Sequence, residues 1–195
     1  VTLRPDLAAI ADAVPAGARV LDIGCGDGAL LAYLRDSKGV DARGIDVAAS
    51  NVASAVARGL SVVQGDADAD LADYPDGAFD MAILSDTLQA MQHPATVLAE
   101  LVRIGKRGVV SFPNFGHWRV RASLALGGRM PVTRSLPVSW HETANIHFCT
   151  VDDFRALAAE LGLRVESAAF LSGGRRRGAA LANLLAEQAV FVLAR

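Results

Sequence analysis

The chain is 195 residues long, 52% hydrophobic and 21% charged, which argues against long disordered stretches and implies one domain able to bury its core without disulfide or metal staples. A formal net charge of −2 and a pI near 6.1 give no general attraction for phosphate backbones or anionic membranes, so neither nucleic acid nor membrane is an expected partner. The stretch from Val1 to Asp6 lacks a basic flank followed by an unbroken apolar segment, and no window approaches the ~20 apolar residues of a membrane span, which points to a cytoplasmic protein.

Residues Asp6 to Val14 read as a helix broken by Pro15-Ala16-Gly17, and Arg19 to Ile23 as a buried strand. After the loop Gly24-Cys25-Gly26-Asp27-Gly28, Ala29 to Asp36 carries Leu30, Leu31 and Leu34 on one helical face and is expected to stop near Gly39. The rhythm repeats with a strand from Ala42 to Asp46, a helix from about Ser50 to Arg58 closed by Gly59, and a strand from Leu60 to Gln64. A fourth strand from Phe79 to Leu84, a helix from Pro94 to Ile104 and a fifth strand from Gly108 to Phe112 complete the alternation. Such an order requires a parallel sheet with helices on both faces.

Residues 114–148 break this rhythm: they are rich in Trp, His, Arg, Gly and Pro, too long for a simple connection, and are expected to fold over an edge of the sheet as an insertion. Thr150 then caps a helix from Val151 to Leu161, with Asp153 at its third position and Gly162 at its end. Leu163 to Leu171 and Ala189 to Ala194 read as closing strands that can lie antiparallel, separated by a glycine- and arginine-rich loop from Ser172 to Gly178 and a short helix around Leu181 to Leu185. Arg175-Arg176-Arg177 reads as a solvated loop tip rather than an RNA site. With no repeat and no linker, residues 1–195 are expected to form a single domain.

The first glycine loop carries the strongest chemical signal. Glycines after a buried strand let the backbone turn sharply and approach a ligand, and the next helix presents free N–H groups at its start. Asp46, 20 residues after Gly26 on the second strand, stands where a carboxylate can accept hydrogen bonds from ribose hydroxyls. Gly24, Gly26 and Ala29 also fit the dinucleotide pattern. Three additions favour S-adenosylmethionine: Asp22 ahead of the loop, Gly28 completing Gly-x-Gly-x-Gly, and Gly65-Asp66-Ala67 after the third strand. Asp22 then faces the cationic amino end of the methionine moiety, Asp46 the ribose and Asp66 the adenine amino group, while Cys25, Val47 and Ser85 complete the expected cradle. The competing reading is that these acids cap helices or end strands.

Cys25 and Cys149 are too few for a disulfide framework and too far apart for a paired metal motif, and His147-Phe148-Cys149 reads as structural or substrate-contacting, so no metal is expected.

With these acids and the glycine loop in place, the chain resembles the class I S-adenosylmethionine-dependent methyltransferase fold over nearly its whole length. That resemblance implies a Rossmann-like α/β fold with a mostly parallel seven-stranded sheet and an antiparallel last strand. A narrower likeness lies in Gln64-Gly65-Asp66, in the run from Ile83 through Ser85-Asp86-Thr87 to Ala90, and in Ser111-Phe112-Pro113-Asn114-Phe115-Gly116-His117-Trp118-Arg119-Val120-Arg121. With Gly128-Arg129-Met130-Pro131-Val132-Thr133, Trp140 and Asn145-Ile146-His147, these segments resemble the MetW family of methionine biosynthesis proteins. Asp86 departs from that family's pattern, in which an amide or another polar residue often follows the serine.

The resemblance implies a role in methionine synthesis beside the homoserine O-acyltransferase MetX, and a homodimer is allowed. Two functions follow as expectations. One is a partner or regulator that binds S-adenosylmethionine or S-adenosylhomocysteine, with the aromatic and basic segment from Phe115 to Arg121 as contact surface. The other is methyl transfer to a small acceptor, for which Asp86, His117 and His147 are the candidate general bases. Asp86-Thr87-Leu88-Gln89 is not the Pro-Pro-aromatic loop associated with amide and nucleobase methylation, so no acceptor class is written there.

Overall fold

The structure, a computed structural model, describes residues 3–133 and 135–195. Val1 and Thr2 of the N-terminal stretch and Arg134 of the expected insertion lie outside the described residues. Helix α1 (Pro5–Ala13) starts on a proline, whose missing N–H costs nothing at a helix start. It leads to β1 (Arg19–Ile23), the glycine loop, α2 (Ala29–Lys38), β2 (Asp41–Asp46), α3 (Ala49–Ala57) and β3 (Ser61–Gln64). The short α4 (Ala67–Asp70) runs into a 3₁₀ turn, followed by β4 (Phe79–Ser85), α5 (Pro94–Ile104) and β5 (Gly105–Pro113).

Eight strands form one sheet in the order β3-β2-β1-β4-β5-β8-β6-β7, where β6 is Arg164–Ser172, β7 is Arg175–Arg177 and β8 is Gln188–Ala194. The first five strands in that order are parallel, and β8 enters antiparallel between β5 and β6. The chain winds outward from β1 in both directions, so β1 and β4 flank a topological switch point, the place where open α/β sheets bind ligands. Asp22 lies opposite Gly44 on β2 and Ile83 on β4 in this register, just below that crevice.

Both faces of the sheet are covered, so its inner strands are apolar on both sides. Val20, Met81, Ile83 and Val109 pack with Leu30, Leu31 and Leu34 of α2 and Ile10 of α1. Leu21, Ile23, Leu84, Val110 and Phe112 pack on the other face with Leu98 and Leu101 of α5. Phe154, from α7 (Val151–Glu160), joins that second face, where its ring centroid lies 4.8 Å from Phe112 and 4.7 Å from Phe191. The Thr150 hydroxyl and the Asp153 carboxylate cap α7 reciprocally, as their spacing requires.

Several elements differ from expectation, α4 among them, since no helix was expected between the third and fourth strands. The loop between the closing strands contains an eighth strand, β7, because Gly173 and Gly174 adopt φ of 58° and 75° and make a two-residue hairpin turn after β6. Its three arginines are exposed, and Arg176 meets Asp12 at 2.7 Å. The 114–148 segment contains a helix, α6 (Trp118–Gly127), whose apolar residues lack a consistent face: of its ten residues only Val120 is buried. The fifth strand starts at Gly105 itself, directly from α5.

The rest of the 114–148 segment crosses the carboxyl edge of the sheet, where the N–H groups of Ile146 and His147 both donate to the Gln89 carbonyl at 2.9 Å. Asn114 ties it down. Its side-chain amide donates to the carbonyls of Asn183 and Ala186, and its oxygen accepts the Gly116 and Val151 N–H groups, linking β5, α7 and the short α8 (Ala182–Leu185). Among the described residues no helix is long and apolar enough to cross a membrane.

Candidate functional site

The carboxyl ends of β1, β2 and β4 meet at the glycine loop. Gly24 and Cys25 both donate their N–H groups to the Ile45 carbonyl at 2.8 and 3.1 Å, which folds the loop back over β2. Gly26 donates its N–H to Asp46 Oδ2 at 2.8 Å. Asp46 Oδ1 accepts the Ala48 N–H at 2.9 Å and the Asn51 amide at 3.0 Å. Three of the roughly four lone-pair positions of this carboxylate are therefore taken by the chain itself. One remains for a ligand hydroxyl, and a second opens only where Asn51 gives way.

Asp22 differs in kind. The residue is 2% exposed, and among the described residues its Oδ1 has no hydrogen-bond partner. Burial first, and the Asp46 charge second, push its carboxyl up to about 8. An orphaned buried carboxylate is costly, and a cationic group in the adjoining cavity would relieve it. The Cys25 thiol beside it is pushed up to about 12 by burial and by Asp22 and Asp46, which leaves it an inert packing group under Gly44.

Two clefts adjoin along Gly24, Gly26 and Ser85. The larger, ≈ 610 Å³, takes in Asp46, Val47, Gly65, Asp66, Ala67 and Ser85. The smaller, ≈ 360 Å³, takes in Asp22, Cys25, Asp27 and Ala29. All but one of the sequence-predicted cofactor residues border one cleft or the other. The exception is Gly28, which caps α2 with φ of 76° and packs toward Leu60 and Ala55 instead. Asp66 also fulfils the competing reading: it caps α4 by accepting the Asp68 N–H at 2.9 Å, and its own N–H donates to Asp70 at 2.7 Å.

The three candidate bases are not brought together. Asp86 borders the larger cleft, in the left-handed backbone region with φ of 49°. Burial and the nearby Asp6 raise its carboxyl to about 6, against the lowering pull of Arg4. His117 is buried as the N-cap of α6, its Nδ1 accepting the Arg119 N–H at 3.4 Å, and burial lowers its ring below the usual histidine range. His147 is exposed, tied to Gln89 through its backbone. Neither histidine borders the larger cleft.

Sequence reasoning passed over Asn51 and Asp68. Asn51 braces Asp46 from five residues away. Asp68 accepts the Gln92 and His93 N–H groups at 2.8 Å and pins the loop after β4 against the cleft. Polar residues bonded across loops carry no periodicity by which to find them. A second cavity of ≈ 610 Å³ opens at the amino ends of β1 and β2, lined by Leu21, Tyr74 and Phe79 with Arg19 and Arg43. Its arginines share Asp41, and among the described residues none of its lining side chains has a buried polar atom without a partner. Among the described residues no three His, Cys, Asp or Glu side chains converge as a metal site.

This order of strands, with the crevice at β1 and β4, is the class I S-adenosylmethionine-dependent methyltransferase fold. It matches a Mesorhizobium loti S-adenosylmethionine-dependent methyltransferase with a TM-score of 0.72 at 18% identity, covering 98% of each chain. The Synechocystis magnesium protoporphyrin IX methyltransferase, solved with bound S-adenosylhomocysteine, matches with a TM-score of 0.65 at 18% identity, over 97% of this chain and 80% of that one. Within that fold the chain belongs to the MetW family: the profile described as methionine biosynthesis protein MetW matches residues 4–193. A bifunctional methionine biosynthesis protein MetXA/MetW of Rhodopirellula baltica is 34% identical over 179 residues, which is 87% of this chain. The chain spans 29% of that relative's length.

Proposed function

We propose that this chain binds S-adenosylmethionine or S-adenosylhomocysteine in the two adjoining clefts and acts in methionine biosynthesis as partner or regulator of a homoserine O-acyltransferase. The observation that carries the ligand is the orphaned Asp22 Oδ1, which fits an ammonium group pressed against Gly24 and Gly26. Asp46 takes one ribose hydroxyl, and Val47, Gly65, Asp66 and Ala67 surround the adenine. The ligand brings a sulfonium-activated methyl group; the chain supplies its binding, its orientation and, through the segment crossing the carboxyl edge, part of its shielding from water.

The partner reading is supported by the R. baltica relative, a bifunctional MetXA/MetW protein. Residues 114–148 are the proposed lid and contact surface of a single domain. Phe115 packs against Phe148 with the ring centres 4.7 Å apart, while Trp118 stays 48% exposed with the Arg119 guanidinium 5.4 Å from its ring centre. Feedback follows naturally, since S-adenosylmethionine is made from methionine. The second reading, methyl transfer to a small acceptor, is favoured by Asp86, whose carboxyl near 6 borders the cleft.

Reconstitution separates the two. Homoserine acyltransferase is assayed with and without this chain, and with and without S-adenosylmethionine. Stimulation that responds to the ligand without consuming its methyl group supports the regulator. Release of S-adenosylhomocysteine at a catalytic rate with candidate acceptors supports the transferase.

A further inference from the structure

The ammonium group that fits the orphaned Asp22 Oδ1 belongs to an amino-acid end, and that end carries a carboxylate as well. The two adjoining clefts offer it little room. Among the described residues that border them are six aspartates, Asp22, Asp46 and Asp86 included, and one cationic side chain, Arg4. A ligand carboxylate set beside any of the acids meets like charge in a partly water-excluded cleft, which disfavours it. Arg4 is therefore the place left for it.

Arg4 borders both clefts, and on the smaller one, of ≈ 360 Å³, it stands with Leu3 and Leu7 at the start of α1. It is the N-cap residue of that helix, and its backbone carbonyl accepts the Ala8 N–H at 2.9 Å, which fixes where the side chain departs. Its Nη2 donates to Asp6 Oδ2 at 2.8 Å and to Asp86 Oδ2 at 3.1 Å. The Asp6 side chain is 3% exposed, so the guanidinium is tethered to a buried acid. A guanidinium has five N–H donors, and these bonds use the two on Nη2. Among the described residues Nη1 and Nε have no acceptor, which leaves three donors on a head that borders the clefts.

We propose that Arg4 binds the α-carboxylate of the ligand while Asp22 takes its ammonium group, so that the site selects a zwitterionic adenosyl amino acid over an adenosyl amine without the carboxylate. The inference rests on the cofactor reading of the two clefts and adds to it a specificity-determining residue. Hydrogen bonds between a guanidinium and a carboxylate are roughly twice as strong as neutral ones, enough to separate two ligands that differ in that group alone. Opposite charges on one cleft also set the direction in which the ligand lies, its amino-acid end beside α1 and its adenosine toward Asp46 and Gly65.

The test is calorimetry on the wild-type chain, Arg4→Gln and Arg4→Lys with three nucleosides: S-adenosylhomocysteine, its decarboxylated analogue S-adenosyl-3-thiopropylamine, and methylthioadenosine, which lacks both charged groups. Wild type is expected to bind S-adenosylhomocysteine about tenfold or more tightly than the decarboxylated analogue. Arg4→Gln should bring that preference close to unity by weakening S-adenosylhomocysteine alone, and Arg4→Lys should restore part of it. The ratio is read within each variant, so any unfolding of Arg4→Gln that follows loss of the Asp6 and Asp86 contacts lowers both affinities alike and leaves the ratio legible. A wild type that binds the analogue as well as S-adenosylhomocysteine, or a preference that survives in Arg4→Gln, overturns the inference and leaves Arg4 as a strut between α1 and the turn after β4. Failure of all three nucleosides to bind wild type overturns the cofactor reading and this inference with it.

Discussion

Asp46 Oδ2 accepts the Gly26 N–H at 2.8 Å, so the acid at the end of β2 clamps the turn that follows β1. The same carboxylate that is proposed to hold the ribose therefore shapes the loop against which the rest of the ligand lies. Asp46→Ala strips the acceptor from three donors, and each hydrogen bond to a charged group is worth about 1.5–3 kcal/mol. We expect S-adenosylmethionine affinity by calorimetry to fall by roughly tenfold or more, together with a lower melting temperature. Unchanged affinity rules out the ribose assignment.

Asp22 gives the opposite sign for stability. Its folded-state value of about 8, set by burial and then by Asp46, lies above the ~3.9 of an unfolded aspartate. Between those values the folded chain holds a proton that the unfolded chain releases, so this group makes stability fall as pH rises from about 4 to about 8. Asp22→Asn removes the ionisation. The ligand-free variant is expected to melt above wild type at pH 8, to show a flatter profile between pH 5 and pH 8, and to bind S-adenosylmethionine more weakly. Scanning calorimetry at several pH values reads the first two effects; a variant melting below wild type at pH 8 contradicts them.

Glycines of the loop separate into two kinds. A Cβ on Gly26, at φ of 57°, meets nothing within 4 Å on the protein side, whereas on Gly28, at φ of 76°, it runs into Leu60 and the Ala55 Cβ at 3.1 Å. Gly26→Ala should therefore cost only the left-handed strain, about 1–2 kcal/mol, while its methyl group intrudes on the cleft that Gly26 borders. Gly28→Ala adds overpacking of about 1–3 kcal/mol. The expected pattern is a binding defect with a modest loss of stability for the first and a larger melting shift for the second. Equal losses of stability would show the loop to be uniformly packed.

Legibility followed periodicity and punctuation. The βα units from β1 to β5 were readable because each buried strand is apolar on both sides and each helix ends near a glycine. Asp22, Asp46 and Asp66 could be placed at strand ends from the sequence, and all three border the clefts. Helix α6 was hidden because burial of Val120 alone leaves no apolar stripe to see. Strand β7 was hidden because exposed arginines hold their place through pairing with β6, a partner set by the hairpin turn and not by side-chain pattern. His117 looked chemical in its motif but serves as a helix cap, a role decided by where α6 begins.

The segment that sequence reading marked as contact surface contains one half-buried aromatic paired with another ring and one aromatic left nearly half in solvent. Phe115 packs its ring on Phe148, and Trp118 leaves nearly half its surface to solvent beside Arg119, a pairing of residue types common at interface hot spots. Removing each tests a different property. Trp118→Ala removes a side chain that leaves 48% of its surface in solvent, and should lower the melting temperature by no more than a few °C. If Trp118 meets the acyltransferase, the same variant should lose stimulation in the reconstituted assay by tenfold or more, equivalent to about 1.4 kcal/mol. Phe115→Ala should instead lower the melting temperature of the chain, and its stimulation only through loosening of the segment. Full stimulation by Trp118→Ala would move the contact surface away from α6.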